Sequence, residues 1–135
     1  MMDDIDFSRC QKFYDLGSGN GKATRQVARR FPSINCVGIE KNLVGYFTAK
    51  LLNLFETHKA DYQKKDFFAS DLSDADIIYA YLFPSFMPKV HAKFLRELKK
   101  GTIVISNSFP IQEKVPIIII EGNKKALETL YVYQY

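Results

Sequence analysis

The segment Phe13-Tyr14-Asp15-Leu16-Gly17-Ser18-Gly19-Asn20-Gly21-Lys22 constrains this chain more than any other: a short apolar run ends in an acid and gives way to a glycine at every second position. A strand stops there, because glycine weakens a strand and opens backbone conformations that a β-carbon forbids. A helix starts at about Lys22, so its free N–H groups and positive dipole end face the loop, where a carboxylate or phosphate is stabilised. The spacing separates this loop from two others. A dinucleotide fingerprint, G-x-G-x-x-G, needs its third glycine at position 22, where Lys22 stands. A triphosphate-binding loop needs a lysine followed by serine or threonine at a spacing this chain lacks.

From end to end the apolar period switches between 2 and 3.6, which predicts α/β layering on a mostly parallel sheet. Strands are expected at about 12–15, 35–39, 61–63, 76–83 and 102–106. A helix at 22–30 carries Ala23, Val27 and Phe31 on one face and stops at Pro32. A second helix at 43–58 is expected to bury a stripe of Phe47, Leu51 and Phe55. A third, at 87–99, ends at Gly101, a residue suited to the left-handed turn after a helix. The last thirty residues break the alternation: 115–121 and 129–135 read as two strands, joined through Gly122-Asn123 and a helical turn at about 124–127. An antiparallel pair then closes the parallel sheet.

At 135 residues the chain is expected to form one domain, 1–135. With 47% apolar and 25% charged residues it has the composition of a soluble globular protein. No run approaches the ~20 apolar residues that span a bilayer, and no signal peptide heads the sequence. Cys10 and Cys36 lie far apart without metal-ligand spacing and read as reduced thiols, so a cytoplasmic location and no bound metal are expected. The net charge of +4 is a mild lean toward acidic partners.

The acids at strand ends carry the ligand argument. Doubly wound sheets bind ligands beyond the carboxyl ends of their strands, where the strand order reverses. Asp15, Glu40 and Asp66 all reach that edge, and Glu40 ends its strand 19 positions beyond Gly21, where an acid accepts from both ribose hydroxyls. Asp66 is placed to accept from an adenine amino group, with Phe67 packing on the ring. Taken singly, each such acid is more often a solvated loop residue. Further on, Tyr79 reads as core packing, while Tyr81 and Phe83, followed by Pro84, either pack inward or form an aromatic mouth for an amine acceptor. Lys89, Lys93, Arg96 and Lys100 read as a solvated helix face opposite Val90, Phe94 and Leu98, which makes nucleic acid an unlikely partner. His58 and His91 read as ordinary helix residues, and no general base stands out.

The D-x-G-x-G-x-G pattern resembles motif I of the class I S-adenosylmethionine-dependent methyltransferases, whose sheet order is 3-2-1-4-5-7-6. More narrowly, Asp15-Leu16-Gly17-Ser18-Gly19-Asn20-Gly21-Lys22, Gly38-Ile39-Glu40-Lys41-Asn42, Tyr81-Leu82-Phe83-Pro84-Ser85-Phe86-Met87 and Ser106-Asn107-Ser108-Phe109-Pro110 occur in that order. Together they resemble the small family that includes the mitochondrial lysine methyltransferases of ATP synthase subunit c and the adenine nucleotide translocase. Lys22 replaces that family's arginine, and Leu43-Val44 its Pro-Trp. The resemblance implies a Rossmann-like class I methyltransferase fold, here truncated at the N-terminus, with S-adenosylmethionine as cofactor and S-adenosylhomocysteine as product. It implies that Asp15, Gly17, Ser18, Gly19, Asn20 and Gly21 wrap the methionine end. Glu40, Lys41, Asn42, Asp66, Phe67 and Tyr81 complete the cofactor site, with Tyr81, Phe83 and Pro84 at the acceptor pocket.

The Asn/Asp-Pro-Pro-aromatic motif of adenine amine methyltransferases is missing, so methylation of that kind is not expected. The expected reaction is in-line methyl transfer to a protein lysine. RNA or a small molecule is the alternative acceptor, and a cofactor-binding module inactive without a partner is the alternative of another class. A nicotinamide-dependent oxidoreductase is disfavoured by Lys22, and an open substrate side makes a homodimer plausible.

Overall fold

The computed structural model describes residues 4–122 and 128–135; Asn123 and the expected turn at 124–127 lie outside them. The chain runs β1 (Lys12–Leu16), α1 (Lys22–Arg30), β2 (Asn35–Ile39), α2 (Leu43–Asn53), β3 (Asp61–Gln63), β4 (Ile77–Ala80), α3 (Met87–Glu97), β5 (Ile103–Asn107), β6 (Ile118–Ile120) and β7 (Leu130–Gln134). Single 3-10 turns sit at Phe67–Ala69 and Pro84–Phe86. The strands form one seven-stranded sheet in the order β3-β2-β1-β4-β5-β7-β6. β1 to β5 are parallel; β7 runs antiparallel to β5, and β6 antiparallel to β7. This is the class I methyltransferase sheet that the sequence predicts.

Alternation along each strand sorts the core onto two faces. Phe13, Cys36, Ile77, Ile105 and Val132 face one way, together with Val27 and Ala28 of α1 and Ala49 of α2. Tyr14, Leu16, Val37, Ile39, Ile78, Val104 and Tyr133 face the other way and meet Met87, Val90 and Phe94 of α3. Each Val, Leu, Ile, Phe or Met among them, fully buried, contributes ~1.5–3 kcal/mol relative to exposure. Asp15 shares the Phe13 side and so points toward α1. The strand order reverses between β1 and β4, which opens a cleft at their carboxyl ends.

The second helix departs from expectation. It ends at Asn53, not near His58, so that Phe55 falls in the turn beyond it, and the expected stripe faces outward: Phe47 is 61%, Leu51 58% and Phe55 82% exposed. The side turned to the sheet carries smaller residues, with Ala49 buried and Tyr46 half-buried. Asn53 leaves the helical pattern to grip Ala60 in both directions, its Nδ2 donating to the Ala60 carbonyl (2.9 Å) and its Oδ1 accepting from the Ala60 N–H (3.1 Å). Lys59 Nζ then donates to the carbonyls of Asn53, Leu54 and Glu56 at 2.7–2.9 Å, satisfying the helix end.

Smaller corrections have similar local causes. β4 ends at Ala80, three residues short of Phe83. Pro116 has no N–H to give a ladder, so β6 covers only Ile118–Ile120 of the 115–121 run. Lys93 is no part of a solvated face: it is 4% exposed, and its Nζ donates to the Ser70 carbonyl (2.7 Å), the Phe68 carbonyl (3.3 Å) and Glu97 Oε1 (2.7 Å).

Candidate active site

The glycine loop is built from backbone bonds to β2. The N–H groups of Gly17 and Ser18 both donate to the Ile39 carbonyl (2.9 and 3.1 Å), and the Gly21 N–H donates to the Ser18 carbonyl (2.8 Å). At Gly21, φ is +75°, and a β-carbon would run into the Tyr62 ring, so both backbone and space require glycine. Gly19, at φ +53°, differs: a β-carbon there meets nothing within 4 Å, and the loop leaves open space on that side. The Ser18 hydroxyl is buried and has no hydrogen-bond partner among the described residues.

Asp15 sits at the floor of this loop, 3% exposed, accepting from the Thr24 hydroxyl of α1 at 2.6 Å. Burial pushes its carboxyl up to about 6; the Thr24 bonds pull against that, and the charge of Glu40 adds to it. Glu40 is the strut of the loop: Oε2 accepts from the Gly19 N–H and Oε1 from the Asn42 N–H, both at 2.7 Å. Asn42 caps α2, its Oδ1 accepting from the N–H groups of Val44 (2.9 Å) and Gly45 (3.2 Å). Beyond it, Lys41 Nζ lies 3.5 Å from Asp66 Oδ2, while Asp66 Oδ1 accepts from the Phe68 N–H at 2.9 Å. Phe67 is half-buried, tilted against Phe68 with centroids 4.5 Å apart.

A cleft of about 540 Å³ opens beside the loop. Of the residues singled out in the sequence, Asp15, Gly17, Ser18, Gly19, Asn20 and Tyr81 line it. Gly21 is buried beneath the loop. Glu40, Lys41, Asn42, Asp66 and Phe67 stand next to the loop along the β2–β3 edge and do not line the cleft. Phe83 is 71% exposed, and neither it nor Pro84 is part of the wall.

The far wall was not assigned from the sequence, although Asn107 belongs to a segment that carries the resemblance: Tyr79, Asn107 and Glu128 line it, with Lys22, Ala23 and Gln26 of α1. Asn107, 2% exposed at the end of β5, donates from Nδ2 to the Tyr79 hydroxyl (2.7 Å) and to Glu128 Oε2 (2.9 Å). Tyr79 therefore packs its ring against the core, as expected, but presents its hydroxyl to the cleft. Burial raises that phenol to about 12, so it stays protonated. Tyr81 stacks on Phe109, centroids 6.4 Å apart and planes 16° from parallel. The one local signal of this wall lies beside Asn107: Ser108 has φ +66°, a conformation costly for a residue with a β-carbon.

Comparison with known proteins gives the arrangement a context. A family model described as the ANTKMT methyltransferase domain matches residues 15–118. A protein-lysine N-methyltransferase of Saccharolobus islandicus (strain REY15A) is 31% identical over 125 residues, which cover 89% of this chain and 76% of that protein. The adenine nucleotide translocase lysine N-methyltransferase of Mus musculus is 29% identical over 120 residues, 84% of this chain but only 51% of that protein. Among solved structures, an RNA methyltransferase from Salinibacter ruber in complex with S-adenosyl-L-homocysteine superimposes with a TM-score of 0.82 at 26% identity, covering 92% of this chain and 80% of that one.

Proposed function

Because this chain belongs to the ANTKMT methyltransferase domain family and is an S-adenosylmethionine-dependent methyltransferase, we propose that its methyl acceptor is the side-chain amine of a protein lysine. The observation that carries this reading is the likeness to the protein-lysine N-methyltransferase of Saccharolobus islandicus, which extends over most of both chains.

The residues present fit the cofactor. The loop leaves open space at Gly19, and the buried carboxylate of Asp15 meets the same cleft, suited to the cationic amino group of the methionine end. Glu40 serves the ribose: each of its oxygens takes one backbone N–H and keeps a further lone pair for a hydroxyl. Lys41, Asn42, Asp66 and Phe67 complete the adenosine side. Bound there, the cofactor supplies a methyl group on a sulfonium, already activated toward attack. A lysine amine that has first given up its proton to water would be the group placed to accept that methyl. The chain's own task is alignment and exclusion of water, and Tyr81 with Phe109 provides an apolar wall for both.

Incubating the purified protein with tritiated S-adenosylmethionine and a cell extract, then locating the label by mass spectrometry, tests the reading. Methylated lysine is the expected product. Label confined to RNA would replace it with the reading that the Salinibacter ruber likeness supports.

A further inference from the structure

Among the described residues two carboxylates line the cleft, and the cofactor's one ammonium group needs only one of them. Asp15 lies under the glycine loop and is held by Thr24. Glu128 lies across from it at the foot of β7 and is held by Asn107, and nothing in the cofactor reading uses it. We propose that Glu128, oriented by Asn107 and flanked by Tyr79 and Tyr81, is the docking group for the acceptor's ammonium. The inference rests on the reading of the acceptor as a lysine and names the residues that select its charge.

The hydrogen-bond inventory supports it. Asn107 spends both amide hydrogens, one on the Tyr79 hydroxyl and one on Glu128 Oε2. Its own Oδ1 accepts from the Ser108 hydroxyl at 2.9 Å. The amide is thus locked, with Nδ2 facing the cleft wall and no freedom to flip. Among the described residues Glu128 is bound through Oε2 alone, which leaves an oxygen and a further lone pair that an –NH3⁺ with three donors can fill. The Tyr79 oxygen, already accepting one bond, keeps one more lone pair. Tyr81, backed by Phe109, adds a π face to the same cleft, and such a face attracts a cation or its alkyl stem.

A second cavity, about 360 Å³, shares Ala23, Gln26, Tyr79, Asn107 and Glu128 with the cleft, and Phe7, Val27, Phe31 and Leu130 extend its lining on the apolar side, with Arg30 at its edge. Glu128 therefore stands where the two cavities meet. A lysine would lay its alkyl stem along the apolar lining and its nitrogen at the carboxylate. Glu128 is itself exposed, so it pairs with a cation without the full desolvation cost of a buried ion, and water reaches the nitrogen that must lose its proton.

The test uses Glu128→Gln in the full chain saturated with S-adenosylhomocysteine. Glutamine still offers an oxygen to Asn107 Nδ2, so only the charge is removed. The probe is n-butylammonium chloride, with 1-butanol as neutral control, titrated while the side-chain amide signals of Asn107 are followed by NMR. Saturable binding to the wild type is expected, at least about tenfold weaker in Glu128→Gln, the worth of one charge-assisted hydrogen bond. Glu128→Asp should recover part of it, and affinity for S-adenosylhomocysteine should stay within about twofold, since Asp15 and the loop are untouched. Equal binding by the variant, equal binding of 1-butanol, or no saturable shift in the wild type would each overturn the proposal. Charge-dependent binding without any methylated lysine in the extract assay would leave this site standing and remove lysine as the acceptor. Methylated lysine with an unaffected Glu128→Gln would do the reverse.

Discussion

Helices α1 and α2 pack on the same face of the same sheet, yet only one of them buries what its sequence offers. α1 hides Thr24, Val27 and Ala28 almost completely, and it ends where Phe31 stacks on Phe7 at 4.6 Å. α2 buries Ala49 alone and leaves Leu43, Val44, Phe47 and Leu51 more than half exposed, as is Phe55 in the turn beyond it. The difference lies in what each helix must approach. α1 crosses β1 and β2 and closes the core, so bulk on its inner face is rewarded. α2 must come close enough to support the glycine loop: a β-carbon on Gly45 would lie 3.2 Å from the Gly19 carbonyl oxygen and from Glu40 Cγ. Its position is fixed by Gly45, by the Asn42 cap and by the Asn53 clamp, with Tyr46 and Ala49 against the core. Its aliphatic residues and Phe47 face out.

The strongest blow to α1 falls at its first turn. Gly21→Val demands φ +75° of a β-branched residue and drives its side chain into Tyr62, which donates to the Gly21 carbonyl at 3.2 Å. Strain and overpacking together should cost about 3 kcal/mol or more. Urea unfolding would show it, and calorimetry would find binding of S-adenosylhomocysteine abolished. A variant as stable as the wild type would mean the loop tolerates another shape and would undo the contrast between the helices. Next in size is Val27→Ala, expected to lower the unfolding free energy by about 2 kcal/mol, because Val27 is 3% exposed and its methyl groups leave a hole.

These two residues were legible beforehand, and the reason is local. Gly21 belongs to a contiguous motif, and Val27 to a helix with charges confined to its outer side. The sheet order was legible for the same reason, since alternating periods and an antiparallel ending leave few topologies. The α2 stripe misled because spacing of i, i+4 and i+8 marks one face of a helix without saying which face meets the sheet. Tyr46, Ala49 and Asn53 form an equally regular inner face, but Ala49 is small and Asn53 polar, so it registers less strongly than the Phe-Leu-Phe stripe. The far wall of the cleft failed for a different reason: Tyr79, Asn107 and Glu128 come from three strand ends and meet only after β5 pairs with both β4 and β7. Spacing along the chain contains no trace of that meeting.

Asp15 joins α1 to the site, and its titration sharpens the contrast from the functional side. Its pKa is about 6 in the folded chain against 3.8 ordinarily, because burial disfavours the charge. The folded state therefore holds a proton that the unfolded chain releases between those values. The resulting stabilisation is complete below pH 3.8 and is lost as pH rises through about 6. With Asp15 meeting the cofactor's amino group, as proposed, cofactor binding is expected to run the opposite way, since a cation favours the carboxylate. Affinity for S-adenosylhomocysteine should fall as pH drops from 7 to 5, and Asp15→Asn should flatten that dependence. A flat wild-type profile by calorimetry would separate Asp15 from the ligand's amino group.

The smallest effect tests the comparison most directly. Phe47→Ser and Phe55→Ser remove two aromatic rings, one from the outer side of α2 and one from the turn that follows it, residues 61% and 82% exposed. If the outer face holds nothing in place, each change should move stability by no more than about 0.5 kcal/mol in either direction, as for a surface position. The same substitution at a buried phenylalanine, such as Phe94 of α3 at 1% exposure, should cost about 3–5 kcal/mol. Affinity for S-adenosylhomocysteine should be unchanged in both the Phe47 and Phe55 variants, because Asn42, Gly45 and Asn53 still hold the helix against the loop. A loss of 2 kcal/mol at Phe47 or Phe55 would mean that α2 is anchored by its large side chains after all, and that its shape in solution brings them inward.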